Sequence, residues 1–544
     1  MPARGQNTTE EKHSFIVVSN RLPVDRVSDP DGTSRWKHSP GGLVTALEPV
    51  MRQQDGAWVG WAGQAGVDLD AFDSEGIRIV PVTLSQAEIE AYYEGFSNGT
   101  LWPLYHDVIA PPTYHREWWD SYVKVNKRFA DAAAAASERG ATVWVQDYQL
   151  QLVPKMLRES RPDLIIGFFN HIPFPPYGIY SQLPWRTQII EGLLGADVIG
   201  FQRAADANNF TQAVRRLKGF PTKGTQVDVP LVDESVGVRA FGPIPEGKPF
   251  RTVVAKPFPI SIDSRSYAEL ARSPEIQARA RQIRRDLGNP KTIILGVDRL
   301  DYTKGIGHRL KAFGELLAEE KLTVGEVTLV QVASPSRERV LTYMELRDEI
   351  ELMVGRINGD HATIAHNPIS YHHTSYPRDE MVALYLAADV MLVTALRDGM
   401  NLVAKEYVAA QDPEDPGVLI LSRFAGAAEE LEAALIVNPY DIEATSDVLR
   451  GALEMSLDER RGRHQALMSL VVKNNIGAWC QSFLAALSRA SSPDDPANWF
   501  QPEPIRDALE NLKRAGARRP ASKRLAEAAS TPLLPPASLL PPAS

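Results

Sequence analysis

The sequence predicts an α/β protein built from two doubly wound, Rossmann-like domains that face each other across a cleft. Three observations lead there. Short runs rich in Val, Ile and Leu recur along the chain, each followed by a polar residue or a glycine and then by helical patterning, as buried parallel strands alternating with helices do. The runs form two series, separated over residues 219–252 by a stretch rich in Gly, Pro and polar residues. Chemistry-bearing residues stand directly after the runs, where open α/β sheets bind their ligands.

The first series comprises FIVVSNR (15–21), TVWVQDY (142–148), LIIGFFNH (164–171) and DVIGFQ (197–202). The second comprises TIILGVDRLDYTKG (292–305), VTLVQVASPSRER (327–339), DVMLVTALRDG (389–399), GVLILSRFAG (417–426) and ALIVNPYD (434–441). At 544 residues the chain exceeds what one core usually supports, since single cores seldom grow past about 300 residues. A first domain over 1–255 and a second over 256–475 are expected. The end of the chain, 515–544, repeats LLPPAS and has too little apolar periodicity to pack, so a disordered tail is expected there.

Hydrophobic residues make up 44% and charged residues 23%, the composition of a folded globular chain. A net charge of -9 argues against a nucleic-acid partner, which calls for a basic stripe. Any anionic ligand must then be met by locally placed Arg and Lys. The single cysteine, Cys480, excludes an intramolecular disulfide. No apolar run is long enough to span a membrane, and the start, MPARGQNTTEEKHS, lacks the apolar core of a signal peptide. A cytoplasmic protein without a membrane or nucleic-acid partner is expected.

The residues after the strands are Asn20 and Arg21, Asp147, His171, Arg299 and Lys304, Arg337, and Asp398. Arg299 and Lys304, with Gly305 closing the loop, offer a guanidinium fork and an ammonium to a phosphate; a solvated surface pair is the rival reading. Gly41 and Gly42 in SPGGLVTALEPVM sit at the mouth of a helix, either as a phosphate cradle or as a plain turn. His171 is held between a buried strand and a proline-stiffened turn. Tyr93 and Trp102, in YYEGFSNGTLWPLYHD, are candidates either for the core or for the lining of a sugar site. In LRDGMNLVAKEYVAAQ, Asp398 and Glu406 form either an acid pair or the two ends of a capped strand-to-helix junction. DLDAFD follows no strand and YHHTS lacks zinc spacing, so neither a metal site nor a cofactor is expected.

With SNRLPV, GGLVTAL, YYEGFSNGTLWPLYH, VWVQDYQLQLVP, HIPFP, GVDRLDYTKGI, SPSRER and LRDGMNLVAKEY in this order over about 15–490, the chain resembles the trehalose-6-phosphate synthase family. These are retaining glycosyltransferases with two Rossmann-like domains of the glycosyltransferase B type. The resemblance implies an N-terminal acceptor domain, a C-terminal nucleotide-sugar domain, and a terminal helix over 476–495 that returns to the N-terminal domain. It implies that Arg299 and Lys304 hold the donor diphosphate with the backbone N–H groups of Met400, Asn401 and Leu402, and that Gly42 closes over it. Asp398 and His171 would contact the donor glucose and Glu406 the nucleotide ribose. Arg21, Tyr93, Trp102 and Arg337 would hold glucose 6-phosphate, with Asp147 facing its sugar. Attack on the same face, assisted by the leaving phosphate, is implied, so Asp147 and Asp398 act by positioning and charge. A homo-oligomer, dimer or tetramer, is left open.

Three positions depart from the family pattern: Asn170, where leucine is common, Gly178, where an acid is common, and Gln202, where histidine is common. The donor base pocket is expected near Tyr371 to Arg378, without an indication of which base it takes. Competing with a glucosyltransferase are a pseudo-glycosyltransferase that couples cyclitols on the same scaffold, and a sugar-phosphate sensor without turnover.

Overall fold

The computed structural model describes residues 12–28, 34–38, 47, 51–52, 56–230, 232–233, 238–239 and 250–491. In chain order its strands are β1 (His13–Arg21), β2 (Val24–Ser28), β3 (Ser34–His38), β4 (Ala57–Trp61), β5 (Phe72–Ser74), β6 (Ile77–Pro81), β7 (Ser137–Gln146), β8 (Ile165–Phe169), β9 (Val198–Phe201) and β10 (Thr222–Lys223). There follow β11 (Gln226–Pro230), β12 (Val232–Asp233), β13 (Val238–Arg239), β14 (Phe250–Pro257), β15 (Thr292–Arg299), β16 (Val327–Ser334), β17 (Ile369–His372), β18 (Val390–Val393), β19 (Val418–Ser422) and β20 (Leu435–Val437).

The first sheet runs β10-β11-β14-β9-β8-β7-β1-β4-β6-β5 and the second β17-β16-β15-β18-β19-β20. In the first, β14 through β6 are mutually parallel and the outer strands antiparallel; the second is parallel throughout. Counted in chain order, the parallel strands lie 3-2-1-4-5-6-7 in the first sheet and 3-2-1-4-5-6 in the second, the doubly wound order with its switch point between strands 1 and 4. The expected pair of Rossmann-like sheets is therefore present. Parallel strands need cover on both faces, and β4, β9, β18 and β19 are buried along their whole lengths.

The sequence reading passed over β4, β6, β14 and β17, and the 219–252 stretch also holds β10 and β11. AWVGW and ISYH are too short to show periodicity, while β10 is a two-residue edge strand, where its Lys is tolerated. Strand β14 keeps the chain in the first sheet as far as Pro257.

The chain then crosses to the second sheet. Phe258 N–H donates to the Phe201 carbonyl at 2.7 Å and Ile260 N–H to Gln202 Oε1 at 2.9 Å. It crosses back at Ile476, whose N–H donates to the Ile262 carbonyl at 3.0 Å. The helix Ile476–Ser491 then lies on the first sheet, with Phe483 stacked on Trp144 at 4.4 Å and Trp479 on Trp144 at 5.2 Å. Gly167 in β8 and Gly200 in β9 admit it: a Cβ on either would stand 2.8–2.9 Å from the Phe483 ring. Residues 492–495 and 515–544 lie outside the described residues, and no helix among the described ones is long and apolar enough to cross a membrane.

Candidate functional site

Both switch points open on one cleft. Between β1 and β7 the first sheet presents Ser19, Asn20, Arg21, Gln146 and Asp147; between β15 and β18 the second presents Asp398, Met400 and Leu402. With Tyr93, Gln149, His171, Gln202 and Ile260 they line a cleft of about 450 Å³, open to solvent at its mouth.

On the second sheet, Lys304 Nζ lies 2.5 Å from Asp398 Oδ2, both side chains being 13–14% exposed. Burial alone would raise the Asp398 pKa, but the Lys304 ammonium and the Asn401 amide hold it below the usual carboxylate range. Lys304 reaches this place because its loop is a tight turn. Asp301 caps the turn Tyr302–Lys304, and Leu396 N–H donates to the Thr303 carbonyl at 2.7 Å. Gly305 closes it at φ +63, where a Cβ would stand 2.1 Å from the Thr394 carbonyl oxygen. Arg299 is exposed at the strand end, its guanidinium 5.3 Å from the Trp102 ring centroid.

Asn401 is the N-cap of the helix Leu402–Ala410, its Oδ1 accepting from Ala404 N–H at 3.1 Å and its Nδ2 donating to Asp398 Oδ2 at 3.2 Å. The N–H groups of a first helical turn lack partners within the helix and carry its positive dipole end. A donor surface for an anion therefore begins where the Lys304–Asp398 pair stands. Glu406, one turn deeper in this helix, accepts from Tyr385 OH at 2.9 Å, and burial raises its pKa. Tyr267 lies beside it, with the Arg378 guanidinium 4.3 Å from the Tyr267 ring.

Arg337, which follows β16 in the second sheet, reaches over to the other half and lies face-on to Trp102 at 3.9 Å. Its Nη1 donates to Asp301 Oδ2 at 3.0 Å and to Tyr343 OH, and its Nη2 reaches Tyr148 OH at 3.3 Å. Arg21 lies 5.2 Å from the Trp61 ring, donates to Asp25 Oδ1 at 2.9 Å and remains half exposed to the cleft. Tyr93 packs on Trp61 at 6.1 Å. Asp147 sits at φ 73, where its Oδ1 accepts from His171 N–H at 3.0 Å. Burial pushes its pKa up to about 6. Burial also lowers the His171 pKa, to about 3, so the ring is neutral at pH 7. Its Nε2 lies 2.9 Å from Gln146 Oε1; an amide oxygen only accepts, so Nε2 carries the proton.

The structure thus brings Arg21, Tyr93, Asp147, His171, Asp398, Met400 and Leu402 to the wall of one cleft; Lys304 and Asn401 are bonded to Asp398, Arg299 and Arg337 lie against Trp102, and Glu406 stands deeper in the helix that follows Asn401. Gly41 and Gly42 lie outside the described residues. Of the departures, Gln202 holds Ile260 as described above and Asn170 Nδ2 donates to the Ile172 carbonyl at 2.6 Å. Gly178 is exposed, with nothing within 4 Å of a Cβ placed there. Sequence reasoning missed Asp301, Tyr148, Tyr343, Gln146 and His106. His106 is buried, 4.2 Å from Trp102, and burial lowers its pKa to about 4. Asp301 alone carried a signal, an acid between Arg299 and Lys304 in the phosphate-loop motif.

The chain matches the model of glycosyltransferase family 20 over residues 13–489. It is 53% identical over 495 residues to the trehalose-6-phosphate synthase of Mycolicibacterium smegmatis, covering 91% of this chain and 96% of that one. A crystal structure of a UDP-forming α,α-trehalose-phosphate synthase from Burkholderia xenovorans in complex with glucose 6-phosphate superposes with a TM-score of 0.77 at 35% identity, covering 87% and 99% of the two chains. An E. coli structure bound with UDP-2-fluoro glucose gives 0.76 at 34% identity, covering 87% and 99%. With the family model matched across both sheets and the returning helix, the chain belongs to glycosyltransferase family 20.

Proposed function

We propose that the chain is a retaining glucosyltransferase that makes α,α-trehalose 6-phosphate and a nucleoside diphosphate from a nucleotide-activated glucose and glucose 6-phosphate. One observation carries this reading: cations from both switch points, Arg21 of the first sheet and Lys304 of the second, stand at one cleft. One substrate phosphate fits each.

In this reading 256–475 is the donor domain and 1–255 the acceptor domain. Arg299, Lys304 and the N-terminus of helix Leu402–Ala410 receive the donor diphosphate, and Gly42 belongs to the same site. Glu406 takes the ribose hydroxyls. As the bond to the anomeric carbon breaks, negative charge grows on the leaving phosphate, and fixed donors already aimed there stabilise it without reorganising. His171, neutral and held by Gln146, and Asp398, held ionised by Lys304, orient the glucose. Arg337 and Arg21 take the acceptor phosphate, Trp102 and Tyr93 wall its sugar, and Asp147 accepts from an acceptor hydroxyl. The leaving phosphate takes the acceptor proton on the same face, which retains the anomeric configuration. Cys480, a buried thiol, fits a cytoplasmic location.

The test is incubation with UDP-, GDP- or ADP-glucose and glucose 6-phosphate, following nucleoside diphosphate release and identifying the disaccharide phosphate by NMR. Release that depends on glucose 6-phosphate, with an α,α-1,1 product, is expected. No such release with any of the donors would overturn the reading.

A further inference from the structure

Asp301 belongs to neither substrate site, yet both are built on it. Its side chain is fully buried, and its two carboxylate oxygens face opposite ways in function. Oδ1 accepts from Thr303 N–H at 3.0 Å and Thr303 Oγ1 at 2.9 Å, which shapes the turn that delivers Lys304. Oδ2 accepts from Arg337 Nη1 at 3.0 Å and from Tyr343 OH at 3.0 Å. The Asp301 carbonyl also accepts from Lys304 N–H at 3.0 Å.

We propose that Asp301 is a positioning residue that sets the donor-diphosphate loop and the acceptor-phosphate arginine together, so that the two phosphate sites keep one fixed spacing. The proposal rests on the reading of Lys304 and Arg337 as phosphate ligands. A carboxylate is rigid and planar, so a displacement that moves one oxygen moves the other. Arg337 needs such an anchor: its backbone sits at φ 49, a left-handed conformation that an arginine holds only where its surroundings fix it. Burial alone would raise the Asp301 pKa, but Arg337 and Arg299 bring it down to about 2, so the anchor is charged throughout the working pH range.

The test is steady-state kinetics on three variants. Tyr343→Phe removes the hydroxyl that bridges Oδ2 and Arg337 Nη1 and leaves Oδ1 untouched; it is expected to raise KM for glucose 6-phosphate about threefold to tenfold with donor KM unchanged. Thr303→Val removes the hydroxyl on Oδ1 alone and is expected to lower kcat or raise donor KM by a similar factor with acceptor KM unchanged. Asp301→Asn is expected to do both, at least tenfold on each side. Its effect on acceptor KM should vanish in an Arg337→Lys background, because both changes act through one guanidinium. If Asp301→Asn does not fold, the two one-sided variants decide. Either of them silent on its own side, or Asp301→Asn altering melting temperature with both KM values and kcat within twofold of wild type, overturns the proposal. If instead Arg337→Lys alone leaves acceptor KM unchanged, the acceptor assignment itself falls.

Discussion

Lys304→Ala removes the charge on which the donor side of the cleft depends. At 2.5 Å from Asp398 Oδ2, in an effective dielectric of about 20, the pair attracts by roughly 6–7 kcal/mol before desolvation is counted. Each buried ion forfeits several kcal/mol of hydration, so the net value of the pair is much smaller, but removing one partner strands the other. That typically destabilises by about 3–5 kcal/mol. Catalysis should suffer separately, because loss of one preorganised donor to the departing diphosphate lowers kcat by roughly 100–1000-fold. The two losses can be separated. In Lys304→Ala/Asp398→Asn the stranded carboxylate is gone, so thermal stability should recover in part, while glucose 6-phosphate-dependent diphosphate release stays low. A kcat for Lys304→Ala within about threefold of wild type would refute the argument. So would a double variant that regains turnover along with stability.

Arg337→Lys keeps the charge but loses the fork that faces Trp102, Asp301 and Tyr148; at about 1.5–3 kcal/mol for a charge-assisted contact, KM for glucose 6-phosphate should rise roughly 10–100-fold with kcat little changed. Glu406→Gln should raise donor KM about tenfold and leave acceptor KM alone, and inhibition by the free nucleoside diphosphate should weaken in parallel. For Asp147, burial raises the folded pKa to about 6, above an unfolded value of about 3.9. Its contribution to stability is thus fully present below about pH 3.9 and lost as pH rises through about 6, on the order of 3 kcal/mol in all. Asp147→Asn should therefore melt higher than wild type at pH 7.5, with a smaller gain at pH 5; a gain independent of pH would contradict this assignment. Phe483→Ala should destabilise by about 3–5 kcal/mol in a thermal melt, through the cavity it leaves against Trp144 and Gly167.

The parallel strands at the centre of both sheets were legible because burial on both faces writes itself as unbroken Val and Ile runs, as in TIILGV and VMLV. Strands β4, β6 and β17 were not, because AWVGW, IRIVP and ISYH are short and take their identity from the neighbours they pair with. Once the sheets are laid out, the residues after β1, β7, β15 and β18 must meet, and so Arg21, Asp147, Lys304 and Asp398 could be named from their positions after a run. A capped junction between β18 and the next helix was legible too, although that Asn401 is its cap appears only in the structure. Tyr343, Tyr148 and His106 could not be found this way. Tyr148 meets Arg337 and Tyr343 meets Asp301 from far off in the chain, and a buried tyrosine reads in sequence as core until the charged group it touches is known; His106, beside Trp102, reads as one more residue of an aromatic cluster.

The crossings at Pro257–Ile262 and at Ile476 have a mechanical consequence. Because Ile476 N–H is bonded to the Ile262 carbonyl, the two chain passages between the sheets sit side by side and act as a single pin. Sliding of one half over the other would stretch both passages at once, whereas swinging about the pin stretches neither. An opening of the cleft about this pin would resemble a book turning on its spine. Contacts that bridge the two halves, among them Arg203 with Glu429 at 2.6 Å, Arg397 with Asp107 at 3.1 Å and Arg337 with Tyr148 at 3.3 Å, would have to part or adjust as it does.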